Sequence, residues 1–199
     1  MDICIPVRNT TLFFMTTRYL DAFFKPETIA LISGGGDRDV LLARNLMRGG
    51  FHGPVMPVDA QREALEGALT YPEVASLPLT PTLAVITRPV LDIPRLLLEL
   101  GKRGTRAALI VSEWGRLSSL ERTRLSQAML DVAQPYGLRV FGPGSQGFHI
   151  PAAHLNVSLN HQPLLPGQIA LISESGTIAQ TALDMGNHYG FGFSSLIHL

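Results

Sequence analysis

From Thr28 onward the chain alternates short, solidly apolar runs with longer stretches in which apolar residues recur every three or four positions. The runs at 29–33, 54–58, 83–87, 107–112 and 138–141 read as strands of a parallel sheet, because strands covered by helices on both faces need no polar side. The periodic stretches at about 37–48, 92–103 and 120–136 read as the intervening helices. In the first of these Val40, Leu41, Ala43, Leu46 and Met47 form the apolar face, and Gly49-Gly50 ends it. Pro54 and Pro57 place the second strand near a sheet edge. Such strict alternation predicts an α/β fold, a Rossmann-like parallel-sheet domain over 21–147, preceded by a leader at 1–20.

The rhythm breaks at 148–166, where scattered Pro, His and Asn predict a linker. It resumes with a strand at 169–173, a helix at about 177–190 and a strand at 193–198. This single βαβ unit, within 167–199, is too small to cover its own sheet on both faces and reads as the start of a second domain. The two halves begin alike. Ile29-Ala30-Leu31-Ile32-Ser33 recurs letter for letter as Ile169-Ala170-Leu171-Ile172-Ser173, and each copy enters a turn of small residues before a helix. Such turns place unpaired backbone N–H groups and a helix's positive end at the carboxyl edge of a sheet, where anions bind. Gly34-Gly35-Gly36 and Glu174-Ser175-Gly176-Thr177 are therefore two candidate anion sites, each with the serine that precedes it, Ser33 and Ser173.

Composition narrows the partners. The 199 residues are 46% hydrophobic, and sixteen basic residues balance sixteen acidic ones. No basic face advertises nucleic acid and no polybasic stretch advertises a membrane, so small molecules are the expected partners. The lone Cys4 has no internal disulfide partner. His52, His149, His154, His161, His188 and His198 are not at zinc-ligand spacing, so no metal is expected. The apolar stretch at 11–24 is interrupted by Thr16, Thr17, Arg18 and Asp21, which argues against a signal peptide and for a cytoplasmic protein.

A glycine run after a first strand, with Asp59 ending the second, also suits an NAD-binding oxidoreductase, but Ser33-Gly34-Gly35-Gly36-Asp37 lacks the G-x-G-x-x-G spacing. A different group matches more of the chain. Phe24-Lys25-Pro26-Glu27-Thr28, Arg44-Asn45-Leu46, Gly49-Gly50-Phe51-His52-Gly53-Pro54-Val55, Tyr71-Pro72, Gly142-Pro143 with Gly147, and Gly167-Gln168 leading into Ser173-Glu174-Ser175-Gly176 occur in order over nearly all of 21–199. In that order they resemble the CoA-binding domain of NDP-forming acyl-CoA synthetases, including the succinyl-CoA synthetase alpha subunit, and of lysine acetyltransferases that carry the same region. The resemblance implies a Rossmann-like CoA-binding domain followed by the start of a flavodoxin-like, succinyl-CoA-synthetase-type domain. It also implies roles. The turn of Ser33, Gly34, Gly35 and Gly36 would hold the phosphates of CoA or acyl-CoA, and Val58, Asp59, Thr87, Arg88 and Pro89 would flank its adenosine and pantetheine. Gly142, Pro143 and Ser145 would line the path to the thiol, and Ser173, Ser175, Gly176 and Thr177 would face a phosphate at the acyl-transfer centre. The synthetases' phosphorylated histidine is not assigned to any histidine here, so the chain by itself would bind and not turn over. An ATP-grasp or acetyltransferase domain would be its partner. CoA sensing in an acetyltransferase, a CoA-type domain kept for subunit assembly, and a homo-oligomer all stay open at this point.

The first turn departs from the family's pattern. It is a few residues shorter than the usual G-A-S loop and runs into Asp37-Arg38-Asp39. A carboxylate about 6 Å from a phosphate charge costs roughly 3 kcal/mol at an effective dielectric near 20, more than a helix N-terminus returns. Unless Asp37 caps the helix and points away, CoA would bind weakly; Arg38 or Arg62 could offset the charge. Gly144-Ser145 stands where the family has Asn-Cys, and Glu174 where it has Gln.

Overall fold

A computed structural model describes residues 19–199. In chain order its elements are α1 (Asp21–Phe24), β1 (Ile29–Ile32), α2 (Asp37–Arg48), β2 (Val55–Val58), β3 (Ala64–Leu65), β4 (Ala68–Leu69), β5 (Leu83–Ile86), α3 (Ile93–Arg103), β6 (Ala107–Ile110), α4 (Ser119–Ala133), β7 (Arg139–Phe141), β8 (Gly147–Ile150), β9 (Leu155–Asn156), β10 (Pro166–Ser173), α5 (Gly176–Tyr189) and β11 (Phe193–His198). Of the expected leader only Tyr19 and Leu20 are described; the rest lies outside the described residues, as does Cys4.

Five strands form a parallel sheet in the order β2-β1-β5-β6-β7. Pro57, which has no N–H to give a ladder, is tolerated because β2 is an edge strand. Every residue of β1, β5 and β6 is buried, and alternate side chains point to opposite faces. Ala30, Ile32, Ala84, Ile86, Ala108 and Ile110 pack with Ile93, Leu97 and Leu100 of α3 and Met129 of α4. Ile29, Leu31, Leu83 and Val85 belong to a second cluster with Phe23 of α1 and Leu42 and Leu46 of α2. The strand order reverses between β1 and β5: the chain leaves β1 outward for β2 and then returns past it. Loops that diverge at such a point leave a crevice at the carboxyl edge of the sheet.

Between β2 and β5, where the sequence reading assigned no element, the chain forms the β3-β4 hairpin and a short 3-10 turn at Val74–Ser76. One connection differs from the sequence reading. The segment 148–166, expected to be a linker, contains most of β8 and all of β9. These pair antiparallel with each other and β8 with β11, giving a second sheet ordered β10-β11-β8-β9. Burial explains the difference. Phe148, Leu155 and Val157 have no exposed surface and join the cluster that contains α2 and β1, so the first half of the segment is packed against the first sheet. Of the polar residues between them, His154 stands in the turn that follows Pro151–Ala153, at φ 51, while His149 lies in β8 and Asn156 in β9.

The repeated pentapeptide meets two environments. Ile29 and Ile32 are 0% and 2% exposed, whereas Ile169 and Ile172 on edge strand β10 are 46% and 61% exposed. Leu164, Ala179, Leu183, Phe193 and Leu196 form the small core between α5 and the second sheet.

Candidate functional site at the carboxyl edge of the first sheet

Ser33 follows β1 and is buried. Its hydroxyl oxygen lies 2.6 Å from Asp39 Oδ2 and 2.8 Å from Asp59 Oδ2. One hydroxyl proton serves one of these carboxylates at a time. Asp39, with no exposed surface, sits at the third position of α2 and folds back over the turn that precedes it. Its Oδ2 accepts from the N–H groups of Gly35 at 2.7 Å and Gly36 at 2.9 Å. Its Oδ1 accepts from Gly34 N–H at 3.4 Å and from the Thr87 hydroxyl. Gly36 and Asp39 stand as a helix cap and its N3 acid, whose side chain reaches back to the cap N–H. The chain's own carboxylate therefore fills the three amides predicted to hold phosphate. A second anion about 4 Å from it would meet roughly 4 kcal/mol of repulsion at an effective dielectric of 20.

This corrects the expectation placed on Asp37. Gly36 is the cap, Asp37 is exposed, and the acid that governs the turn is Asp39. Arg38 turns away to pair with Glu113. Arg62 is the cation at the turn, its guanidinium 3.0 Å from the Gly35 carbonyl and 3.9 Å from Asp59 Oδ2.

Asp59 Oδ1 accepts from the N–H groups of Gln61 at 2.8 Å and Arg62 at 3.2 Å. Burial alone would raise its carboxyl. The Gln61 N–H, the Ser33 hydroxyl, the Arg62 N–H and the Arg62 charge together outweigh that and hold it below the ordinary value. Across the strand-order reversal, Gly34 donates to Thr87 Oγ1 at 2.9 Å. A Cβ on Gly34 would lie 2.5 Å from the Thr87 carbonyl oxygen, so this approach requires glycine. Arg88 and Pro89 are exposed beyond it, with Arg88 3.7 Å from Asp92.

A cleft of about 410 Å³ opens here. Ile32, Val58, Ala60, Pro72, Val74 and Leu96 give it apolar walls, and Arg88, Arg95 and Lys102 stand among its polar lining residues. Arg95 pairs with Glu99 at 3.0 Å, Arg103 holds the carbonyls of Ala75 and Leu77 at 3.0 and 2.7 Å, and Lys102 makes no ion pair among the described residues. From sequence the wall from Pro72 to Ala75 served only to carry the resemblance, and neither it nor the α3 cations was given a site role. Basic residues on an exposed helix face look like ordinary solvation until the fold places a cleft beside them.

The remaining expected residues lie along a connected path. The Ser112 hydroxyl donates to the Arg88 carbonyl, and Gly144 N–H donates to the Ser112 carbonyl at 2.9 Å. The Gly142-Pro143 bond is cis, and the Gly142 α-carbon faces the Ile110 carbonyl. Ser145 is buried and committed to backbone: it donates to the His198 carbonyl at 2.5 Å and accepts from Gly147 N–H at 2.9 Å, tying the start of β8 to the end of β11. Ser173 donates to the Ser175 carbonyl, and Ser175 caps α5 by accepting from Ile178 N–H at 3.4 Å. Gly176 and Thr177 line an open depression with Gln146, Gln180 and Thr181. The structure thus gathers Ser33, Gly34, Gly35, Gly36, Val58, Asp59, Thr87 and Arg88 at one sheet edge, and Ser173, Ser175, Gly176 and Thr177 at another. Among the described residues no group of three His, Cys, Asp or Glu side chains is arranged to hold a metal ion, and no helix is long and apolar enough to cross a membrane.

Residues 40–151 match the family described as the CoA binding domain. The chain belongs to that family. Among its relatives, the alpha subunit of acetate–CoA ligase (ADP-forming) I of Pyrococcus furiosus is 30% identical over 167 residues, covering 80% of this chain and 36% of that protein. Acetate–CoA ligase (ADP-forming) I of Archaeoglobus fulgidus is 25% identical over 182 residues, covering 90% of this chain and 26% of that protein. The solved apo structure of dinucleotide-forming acetyl-coenzyme A synthetase 1 of Ca. Korarchaeum cryptofilum superposes with a TM-score of 0.81 at 27% identity, over 90% of this chain and 39% of that one. The chain spans between about a quarter and two fifths of the length of these proteins. The α/β, Rossmann-like fold expected from sequence is the one this CoA-binding domain has, and the resemblance to ADP-forming CoA ligases is borne out.

Proposed function

We propose that this chain is the CoA-binding region of an ADP-forming acyl-CoA synthetase and takes CoA or acyl-CoA in the cleft at the carboxyl edge of β1, β2 and β5. The observation that carries the reading is the cleft itself, in a chain of the CoA-binding family. It lies at the reversal of strand order, with apolar walls from Val58, Ala60, Pro72 and Val74 and cations at Arg88, Arg95 and Lys102. The walls suit an adenine ring and the cations its phosphates. Thr87, Arg88 and Pro89 flank the way from the cleft to Gly142, Pro143 and Ser145, along which the pantetheine would run toward the turn at Ser173.

In a whole synthetase the reaction would exchange acyl-CoA, phosphate and ADP for free acid, CoA and ATP. The described residues supply binding and no group that forms or breaks a bond to the acyl carbon. The phosphate donor site would come from an ATP-grasp partner; the alpha-subunit relative in Pyrococcus furiosus supports such a division. A cytoplasmic location, where CoA and ATP are both available, fits this reading. Thermal unfolding with millimolar CoA, acetyl-CoA or NAD tests the assignment. A ligand at about 100 times its dissociation constant stabilises by about 2.7 kcal/mol, roughly 5–10 °C for a chain of this size. A shift with CoA and acetyl-CoA and none with NAD is expected; a shift with NAD alone, or with none of them, contradicts the reading.

A further inference from the structure

The glycine turn, which looks built for phosphate, is occupied by the protein itself. Asp39 Oδ2 receives the Gly35 and Gly36 amides at 2.7 and 2.9 Å, and Oδ1 receives Gly34 and the Thr87 hydroxyl. Gly35 N–H is shared further with Ser33 Oγ at 3.1 Å. The second carboxylate, Asp59, stands on the far side of the same Ser33 hydroxyl, so an anion entering the turn would approach two negative charges. Arg62 reaches the Gly35 carbonyl through Nη2 and stands 3.9 Å from Asp59 through Nε, while its buried Nη1 has no hydrogen-bond partner among the described residues. Asp39 is fully buried, and the next two turns of its helix are anchored by buried Leu42, Ala43 and Leu46. None of the three glycine amides is left for a ligand oxygen, and the group that takes them is itself an acid, as a phosphate is.

We propose that Asp39 is a specificity-determining residue that excludes phosphate from the glycine turn, so that CoA is held by its adenosine end in the neighbouring cleft and by the cations there, with its diphosphate turned away from Gly34, Gly35 and Gly36. The ligand named here rests on the CoA reading above; the exclusion of phosphate does not.

Inorganic pyrophosphate is the probe, followed by the backbone amide NMR signals of Gly34, Gly35 and Gly36. In the native chain these signals stay still at millimolar pyrophosphate. In Asp39→Ser they shift saturably, with affinity about tenfold or more above the native chain. A folded Asp39→Ser chain without that gain overturns the proposal. Should that variant fail to fold, the native chain still decides. With CoA the amides of Ala60, Val74 and Leu96 shift while those of the turn do not, and saturable movement of the turn amides with either CoA or pyrophosphate overturns the proposal. Failure of the CoA reading is separable, since it would leave every amide unmoved by CoA while the pyrophosphate arm still reports on Asp39.

Discussion

Ser33 is the residue on which the first turn hangs, because its one hydroxyl separates the carboxylates of Asp39 and Asp59. Ser33→Ala removes that proton and leaves two buried acids facing each other. A loss of about 2–3 kcal/mol in urea unfolding is expected; a loss within about 0.5 kcal/mol, the range of an ordinary surface change, would contradict the shared-proton arrangement. Titration gives a second test. Burial pushes the His149 imidazole down to about 4, so the unfolded chain takes up its proton first. Stability therefore declines as pH falls from about 6.5 toward about 4, by up to roughly 3 kcal/mol. His198, held low by burial against a partly opposing backbone contact, acts in the same direction. Asp59, held below its ordinary value, adds stability above the unfolded carboxyl range that is lost as pH falls through its folded value. His149→Leu should flatten the decline between pH 6.5 and 4 without abolishing it, read from urea midpoints across that range. At this scale the sequence showed two acids after a glycine run but not which one mattered. That depends on the helix starting at Gly36, which puts Asp39 and not Asp37 at the position that folds back.

The central strands β1, β5 and β6 were legible because each is a solid apolar run and each is buried along its whole length. The Gly-rich turns were legible as turns, while the backbone neighbours they approach were not. Gly142 at φ 93 has the Ile110 carbonyl 2.2 Å from where its Cβ would be, and Gly34 faces the Thr87 carbonyl. Gly34→Ala and Gly142→Ala should each cost about 3 kcal/mol or more, seen as a lowered melting temperature or loss of soluble protein, since neither backbone neighbour can yield cheaply. What was not legible were β8 and β9. Strands of four and two residues with proline, histidine and asparagine between them leave too few alternations to show a period. The repeated pentapeptide makes the complementary point: its composition favours a strand in both copies, while its burial is decided by what packs on it.

The two sheets are one packed molecule through Phe148. It has no exposed surface, lies 5.5 Å from the Phe24 ring in an edge-to-face contact, and shares a cluster with β1 and α2 while its own strand pairs with β11. Phe148→Ala should cost about 3–5 kcal/mol and lower a single unfolding transition; two separated transitions in the native chain would contradict that coupling. The cleft between β1, β2 and α3 takes its walls from the cluster on the other face of the sheet, with Ile32, Val58, Val74 and Leu96, and it is there that the CoA reading stands or falls. The direct measurement is a calorimetric titration of the native chain and of Lys102→Glu with CoA. One-site binding to the native chain is expected, weakened about five- to tenfold in the variant at unchanged melting temperature. No heat of binding at millimolar CoA, or equal affinity in the two chains, would contradict the account.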